Sequence, residues 1–329
     1  MRRPTKNRTT ALLAAVALSL SAVLSAPALA QQPFPSKPIR IVVPFTAGGG
    51  GDAIARRIAA RLGERTGTSV VVENRAGASG NIGAESVVRS APDGYTLLSA
   101  SSTYGIQAGV GKPPFDPIAD VTPIITLSRS HPVIIVNPNS PYRTLRDLIE
   151  AAKLKPDTLT YGTAGVGAIA HMTFESMSAL AGIRMRHVPY KGSSGALTDV
   201  LGGSIDVTSS NPVVSTPLIR AGRLRGLVTG GPTRYPGLPD VPTSTEAGLP
   251  GFEPSDWKAW LGPKGIPPDV VAKLNSEVNA ILKEKEFASV LEADGAVPVG
   301  GTPSQLLALI KSDMERWRAL VRDRQIKLE

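Results

Sequence analysis

The sequence of 329 residues is long enough for two domains of ordinary size. It contains no cysteine, which excludes disulfide bonds, thiolate metal sites and cysteine nucleophiles. The formal net charge of +9 falls to +5 without four basic residues near the N-terminus, and this small excess is scattered among acidic residues with few aromatics, so a nucleic-acid-binding surface is not expected.

Residues 1–30 have the pattern of a secretory signal peptide. Four basic residues precede an apolar stretch, Ala11–Leu24, which is too short to span a bilayer. Ala28-Leu29-Ala30 then supplies the small residues of a cleavage site. We expect cleavage near Ala30-Gln31 and export to the periplasm. The pair Arg2-Arg3 leaves the twin-arginine route open beside the general secretory route.

From residue 39 onward, apolar runs of strand length alternate with amphipathic runs of helical length. The first block is predicted as strand Ile39–Val43, helix Asp52–Leu62, strand Ser69–Glu73, helix Asn81–Arg89 and strand Tyr95–Ala100. After a proline-rich connection the second block is predicted as strand Pro132–Val136, helix Thr144–Lys153, strand Leu159–Gly162, helix Gly167–Ala181, strand Arg184–Val188, helix Ser194–Leu201, strand Ile205–Thr208, helix Val213–Ala221 and strand Leu224–Val228. Short strands separated by helices predict α/β units with parallel sheets.

The C-terminal part differs, because helices are predicted there without intervening strands: Asp269–Leu282, Glu286–Glu292 and Pro303–Arg322. The first block has fewer helices of its own, so we expect these late helices to cover its sheet. The chain would then cross twice between two lobes, near residues 129–132 and 252–256. The predicted division is residues 31–130 and 254–329 for lobe 1 and residues 131–253 for lobe 2, with a cleft between them.

Four consecutive glycines, Gly48–Gly51, follow the first predicted strand and precede a well-specified helix. Ile54, Ile58 and Leu62 share one face of that helix, and Asp52 is expected to be its N-cap. Amides of a glycine loop that enters a helix N-terminus form an anion site, and ligands of open α/β sheets bind at the carboxyl ends of strands. A tight turn followed by a capped helix explains the same residues, so both interpretations stay open at this point.

Longer segments of the sequence resemble the Bug family, which comprises the substrate-binding proteins of tripartite tricarboxylate transporters. They resemble that family in order along essentially the whole chain after residue 30: "FPSKPIRIVVPFTAGGGGDAIAR", "VVVENRAGASGNIGAESV", "APDGYTLL", "HVPYKGSSGALTDVLGGSIDV", "LPDVPTSTEAGLPGFE" and "PVGGTP". The resemblance implies a two-lobed periplasmic binding protein of the Venus-flytrap, type II-like class. Its lobes would each hold a mainly parallel sheet flanked by helices and would close on a small organic carboxylate.

The resemblance also implies which partners and activities to expect. A monomer without catalysis or cofactor would deliver its ligand to membrane permease subunits. The alternative, which the residues do not separate, is a binding protein that reports its ligand to a membrane sensor.

The candidate ligand-binding residues follow from the same resemblance. In the first lobe they are the glycine loop and the end of a neighbouring strand: Phe45, Thr46, Ala47, Gly48, Gly49, Thr103 and Tyr104. In the second lobe they are Thr163, Ala164, Gly165, Ala168, Ala170, His171, Ser210 and Asn211. Phe45 would lie against the ligand, and the glycines would let it approach the backbone. His171 is open to a second interpretation, as a packed core residue.

Two departures from the family pattern bear on the ligand. Family members carry hydroxyl residues where this chain has Ala168, Ile169 and Ala170. Either a carboxylate depends here on backbone amides and Thr163, or the bound group is apolar. Many relatives have Asp-Asn where this chain has Ser210-Asn211. The missing aspartate would otherwise serve an ammonium group, which predicts a plain carboxylic acid in preference to an amino acid.

An enzyme is the main alternative class, and the sequence disfavours it. The histidines are His131, His171 and His187, and no H-x-x-x-H pattern joins them. The run Gly192–Gly195 lacks the glycine spacing of a serine-hydrolase nucleophile elbow. We therefore predict no catalytic residue and no metal site.

Overall fold

The computed structural model describes residues 33–323 and 325–326. The predicted signal peptide, residues 1–30, lies outside the described residues. The chain from Lys37 onward forms one compact unit, which holds all the elements named below. Among the described residues, no helix is both long enough and apolar enough to cross a membrane.

The strands and helices alternate along most of this unit. The strands are β1 (Ile39–Val43), β2 (Val70–Asn74), β3 (Thr96–Ser101), β4 (Val121–Ser130), β5 (Val133–Val136), β6 (Thr160–Thr163), β7 (Arg186–Pro189), β8 (Val207–Ser210), β9 (Arg225–Thr229), β10 (Asp256–Pro263) and β11 (Ala296–Gly300). The α-helices are α1 (Gly50–Thr66), α2 (Asn81–Val88), α3 (Ser102–Val110), α4 (Leu145–Leu154), α5 (Ile169–Ala181), α6 (Ser193–Gly202), α7 (Pro212–Arg220), α8 (Pro268–Lys283), α9 (Lys285–Ala293) and α10 (Pro303–Asp323).

The first sheet has the strand order β11-β4-β10-β3-β1-β2. Its parallel part is β2-β1-β3, where Ile41 of β1 pairs with Val72 on one side and Leu97 on the other. β10 runs antiparallel to both β3 and β4, and β11 runs antiparallel to β4. The sheet is therefore mixed around a parallel core. Apolar residues on β3 and β10 pack against Leu306 and Ile310 of α10.

The second sheet has the order β7-β6-β8-β5-β9. β7, β6 and β8 are parallel, whereas β5 runs antiparallel to β8 and β9. The all-apolar β5, Val133–Val136, is fully buried at the centre of this lobe. One of its faces packs under α4 and α5, and the other packs under α6.

The chain crosses between the sheets twice, as predicted. The first crossing lies between Ser130, the end of β4, and Val133, the start of β5. The second follows a long irregular segment after β9. Leu249 and Phe252 of that segment still pack in the core of the second lobe, so the return crossing comes just before β10. The α/β fold with two lobes is confirmed, and the late helices α8 and α10 contact β4 of the first sheet.

Several elements were not predicted from sequence. β4, β10 and β11 complete the first sheet, and α3 follows β3 directly. Thr103 and Tyr104, predicted at a strand edge, instead lie in the first turn of α3. The predicted capping box of α4 is present, since Thr144 accepts from the Asp147 amide and Asp147 accepts from the Thr144 amide.

Candidate functional site

A small cavity lies between the two sheets, at the carboxyl ends of β1, β3 and β8. Its volume is about 80 Å³. A water needs roughly 10–15 Å³ of such volume, so the cavity has room for about five to eight waters or for a small organic molecule of similar size. It is lined by Val43, Phe45, Thr46, Gly49, Gly50, Gly51, Asp52, Ser99, Ser101, Thr103, Pro132, Ala164, Ala168, Ile169, Ala170, Ser193, Ser209, Ser210, Asn211, Asp256 and Lys258.

Helix N-termini from both lobes converge on this cavity. Gly50 opens α1, Ile169 opens α5 and Ser193 opens α6, and each of these residues lines the cavity. Asn211, the N-cap of α7, lines it as well. The first amides of a helix have no partner within the helix, and the helix dipole is positive at this end. The arrangement therefore favours a small anion.

The glycine run lets the first lobe approach the second. Gly48 has φ +85, the left-handed conformation that glycine adopts readily. A Cβ on Gly49 would lie 2.7 Å from Ser193 Oγ, and a Cβ on Gly50 would overlap the Asn211 side chain. Both neighbours belong to the opposite lobe. Side chains are missing here because the other lobe occupies their space.

Asp52 is not the N-cap of α1, contrary to the prediction. Gly49 holds that position without a side-chain hydrogen bond, and Asp52 is the third helical residue. Its carboxylate accepts from the Gly48 amide at 3.0 Å, from Arg56 Nε at 3.0 Å and from Asn74 Nδ2 at 3.0 Å. Burial alone would raise the pKa of Asp52, but these hydrogen bonds outweigh it and hold the pKa below its ordinary value. Asp52 thus fastens the glycine loop to the helix, with its charge compensated by Arg56.

Of the predicted residues in the first lobe, Phe45, Thr46, Gly49 and Thr103 line the cavity. Ala47 and Gly48 lie on the exposed side of the same loop. Tyr104 points away from the cavity, and its hydroxyl donates to the carbonyl of Pro117 at 2.7 Å. Burial raises the pKa of Tyr104, which therefore stays protonated.

In the second lobe, Ala164, Ala168, Ala170, Ser210 and Asn211 line the cavity. Asn211 caps α7, because its Oδ1 accepts from the Val213 amide at 3.1 Å. Its amide nitrogen donates to Ser130 Oγ of the first lobe at 2.9 Å.

Thr163, Gly165 and His171 lie behind the cavity wall and do not line it. The Gly165 amide donates to Thr163 Oγ1 at 3.1 Å, and that hydroxyl bonds His187 Nε2 at 2.6 Å. His171 Nδ1 accepts from the Gly167 amide at 3.1 Å, which assigns its proton to Nε2. These residues support the loop that precedes α5.

The two histidine rings stack on each other within the second lobe. The centroids of His171 and His187 are 4.3 Å apart, and Tyr161 stacks on His187 at 5.1 Å. Burial lowers the pKa of His171 to about 4. Burial, with the neighbouring His171, also lowers the pKa of His187 to about 4, against a smaller opposing effect of Glu175. Both rings are neutral at pH 7.

Sequence reasoning missed two charged residues of the cavity, Asp256 and Lys258 of β10. They are 3% and 6% exposed and form an ion pair with each other. It also missed the hydroxyl residues Ser99, Ser101, Ser193 and Ser209. The signal was present in "DWKAW", where two charges alternate with apolar residues as in a strand with one polar face.

Hydrogen bonds join the lobes around the cavity. Thr46 Oγ1 and Ser194 Oγ are 2.7 Å apart, and the Ile169 amide donates to Thr103 Oγ1 at 3.1 Å. Ser79 Oγ and Gln107 Nε2 both donate to the carbonyl of Val166, at 2.8 Å and 3.0 Å. The lobes are therefore in direct contact, as in the closed form of a two-lobed binding protein.

The cavity lining consists mainly of hydroxyl residues, glycines and small apolar residues. None of the three histidines belongs to its lining. In the part of the chain that the structure describes, no group of three or more His, Asp or Glu side chains is arranged to hold a metal ion. The lining offers hydroxyls, backbone amides and one ion pair, which suit recognition of a small polar molecule.

Two α/β lobes joined by two crossings, with an anion-favouring cavity between them, define the periplasmic-binding-protein fold class. A family model described as the tripartite tricarboxylate transporter family receptor matches residues 54–326. The chain belongs to this family, whose members are substrate-binding proteins. The resemblance to the Bug family is thereby confirmed.

Two relatives show the extent of the similarity. Protein BugT of Bordetella pertussis is 34% identical over 323 residues, which cover 97% of this chain and 99% of BugT. A protein of the tcbD-tcbE intergenic region of a Pseudomonas species is 37% identical over 311 residues, covering 94% of this chain and 92% of that protein.

Solved structures match over a similar length. Rpa4515 of R. palustris, solved with adipate, has a TM-score of 0.85 and 35% identity and covers 89% of this chain and 99% of its own. The periplasmic binding protein BugD has a TM-score of 0.85 and 31% identity, with 89% and 99% coverage. MatC from Rhodopseudomonas palustris, solved with bound malate, has a TM-score of 0.83 and 30% identity, with 88% and 100% coverage.

Proposed function

We propose that this protein captures a small organic carboxylate in the cavity between its lobes and delivers it to the permease subunits of a tripartite tricarboxylate-type transporter. The observation that carries the proposal is the convergence of α1, α5, α6 and α7 on one cavity of about 80 Å³. The structural relatives solved with adipate and malate support the carboxylate class.

The ligand is held mainly by backbone donors and hydroxyls. The first-turn amides of α1, around Gly50 and Gly51, receive one end of the molecule. The segment Ala168–Ala170 offers no hydroxyl group, so the α5 side contributes amides and small apolar contacts. Thr103 adds a hydroxyl: its oxygen already accepts from the Ile169 amide, which leaves its proton to donate. Phe45 covers the apolar part of the ligand.

Two lobes that hinge at the crossings provide the switch. We propose lobe 1 as residues 31–130 and 254–329 and lobe 2 as residues 131–253. A ligand that contacts both lobes stabilises the closed form over the open form by its difference in affinity. The contacts Thr46–Ser194 and Thr103–Ile169 would form only in the closed form, and the permease would recognise that form.

We also propose that the protein is exported to the periplasm. Removal of residues 1–30 near Ala30-Gln31 would release the mature protein into the periplasm, where a permease-linked binding protein works. Mass spectrometry of the protein from a periplasmic extract tests this, with a mature N-terminus at Gln31 as the expected result.

A thermal-shift screen tests the binding function. The mature protein is heated with mono-, di- and tricarboxylates, aromatic acids and amino acids, and with the matching amides as uncharged controls. A carboxylate at 100 times its dissociation constant adds about 2.7 kcal/mol to the free energy of unfolding, a shift of several degrees. Stabilisation by carboxylates and not by their amides is expected. If no carboxylate raises the melting temperature while neutral compounds do, the proposal is wrong.

A further inference from the structure

The cavity contains a buried ion pair that the proposed function has not used. Asp256 and Lys258 lie two residues apart on β10, so both side chains face the cavity side of the first sheet. Asp256 is 3% exposed and Lys258 is 6% exposed. Lys258 Nζ contacts Asp256 Oδ2 directly.

The other oxygen of Asp256 lacks a donor. Among the described residues, Asp256 Oδ1 and Ser99 Oγ are buried and have no hydrogen-bond partner, and both residues line the cavity. A buried carboxylate oxygen without a donor costs free energy, and native proteins rarely leave one in that state. The Asp256 carboxylate therefore calls for a hydrogen-bond donor within the cavity.

The ammonium group of Lys258 can donate to a second hydrogen-bond acceptor besides Asp256. A Cβ on Gly51 would lie 3.9 Å from Lys258 Cε, so the lysine side chain runs beneath the first turn of α1. The positive end of a helix dipole disfavours a cation and favours an anion. Asp52, the other carboxylate near this turn, is engaged by Arg56, Asn74 and Gly48. Among the described residues, the acceptor found for Lys258 Nζ is Asp256 Oδ2, so the other N–H groups of this ammonium are left to donate to an anionic ligand group.

We propose that Asp256 and Lys258 select a 2-hydroxycarboxylate, an acid with a hydroxyl on the carbon next to its carboxylate. The ligand carboxylate accepts from Lys258 Nζ, and the ligand hydroxyl donates to Asp256 Oδ1. Because the two protein groups touch each other, the acceptor and the donor of the ligand must lie on neighbouring carbons. This inference rests on the proposed function and specifies its ligand class.

An amino acid fits the pair less well. Its ammonium group would donate to Asp256, but it would lie among the helix N-termini that converge on the cavity, where the helix dipoles are positive. The Asp256–Lys258 pair is neutral as a whole, so these dipoles decide, and they disfavour an added cation. A hydroxyl donates without adding a positive charge.

Calorimetric titration of matched acids tests the inference. Malate is compared with succinate, lactate with propionate, and malate with aspartate. A hydrogen bond to a charged group predicts that each hydroxy acid binds at least about tenfold more tightly than its deoxy partner. Malate is also expected to bind more tightly than aspartate.

Variants assign the effect to the pair. In Asp256→Asn the amide oxygen can still accept from Lys258 Nζ while its NH₂ turns toward the ligand, so the preference for malate over succinate should fall below about threefold, and a melting curve checks that the variant is folded. Lys258→Met alone would leave Asp256 buried without its cation and risks unfolding, so Asp256→Asn/Lys258→Met is used instead. This double variant should melt near the wild type and bind both acids at least about tenfold more weakly. Lys273→Met, at an exposed position on α8, is the control and should bind as the wild type does.

Equal affinity for hydroxy and deoxy acids, tighter binding of aspartate than malate, or a preserved preference in Asp256→Asn would each overturn the inference. In those cases carboxylates still bind and the proposed function stands. If no carboxylate of any type binds, both the inference and the proposed function fail.

Discussion

Thr46, in the loop after β1, and Ser194, in the first turn of α6, bring their hydroxyl groups to 2.7 Å between opposite lobes, although they are 148 residues apart in sequence. Next to this contact, Gly49 faces Ser193 and Gly192 faces Thr46, each too close for a side chain. The glycines of the two loops thus serve the closure of one lobe on the other. Substitutions at single residues near this contact should therefore change how well the lobes close on a ligand.

Gly50→Ala is expected to hinder closure. Its Cβ would overlap Asn211 of the opposite lobe, whereas Gly202→Ala, in α6 and outside the cavity lining, meets only Ser204 Oγ at the ordinary distance of 3.8 Å. Overpacking of this kind costs about 1–3 kcal/mol, so Gly50→Ala should weaken carboxylate binding about tenfold or more. Gly202→Ala, the control at another helical glycine, should bind as the wild type does. Calorimetry measures both, and equal affinities of the two variants would contradict the role of Gly50.

Asn211→Asp tests the charge preference of the cavity. Aspartate caps a helix as well as asparagine does, so the melting temperature of the unliganded protein should stay close to that of the wild type. The new carboxylate would face the ligand carboxylate, and binding should weaken about tenfold or more. Asn211→Ser keeps the cap without the charge and should retain most of the affinity. Unchanged binding by Asn211→Asp would show that the ligand carboxylate lies elsewhere.

The tryptophans of β10 should report binding differently. Trp257 faces away from the cavity, where its Nε1 donates to Asp313 of α10 at 3.0 Å. Trp260 lies on the same strand face as Asp256 and Lys258. The fluorescence change on adding carboxylate should therefore persist in Trp257→Phe and be lost in Trp260→Phe. The opposite result would place the ligand-induced change at α10.

The stacked histidines predict a pH dependence of stability. The folded protein holds the pKa of His171 and His187 at about 4, below the ordinary value of 6.5. Between these pH values the unfolded chain binds more protons, so the free energy of unfolding falls as the pH decreases from 6.5 toward 4. Melting curves across this range should show a shallower slope in His187→Gln than in the wild type. Identical slopes would contradict the assignment to this pair.

The fold was largely predictable because the local sequence pattern is enough to indicate most helices and strands. The amphipathic α1 and the apolar β5 follow the periodicity of their residues, and α4 follows its capping box. β10 was missed because it lies in a segment rich in proline and glycine, residues 230–268, and the alternation of Asp256 and Lys258 with apolar residues was not interpreted as a strand. A local sequence pattern cannot indicate that two charged side chains will be buried as an ion pair between the lobes.

Part of the cavity lining was predictable from the sequence. The loop residues Phe45, Thr46 and Gly49 line the cavity because a strand end fixes their place. Asp52 was misassigned because α1 begins at Gly50, where contacts with the opposite lobe hold glycines that have a low intrinsic helix propensity. For His171 a ligand contact and a packed core residue both stayed open, because helical spacing does not say which face of α5 meets the core; the structure buries it behind the cavity wall.

The most direct test of the account is a crystal structure of the mature protein with the carboxylate that stabilises it most. We expect the ligand to lie between the first turns of α1 and α5, with its carboxylate at Lys258 and its apolar part against Phe45. A bound carboxylate outside the space between the lobes, or one that contacts only a single lobe, would contradict it.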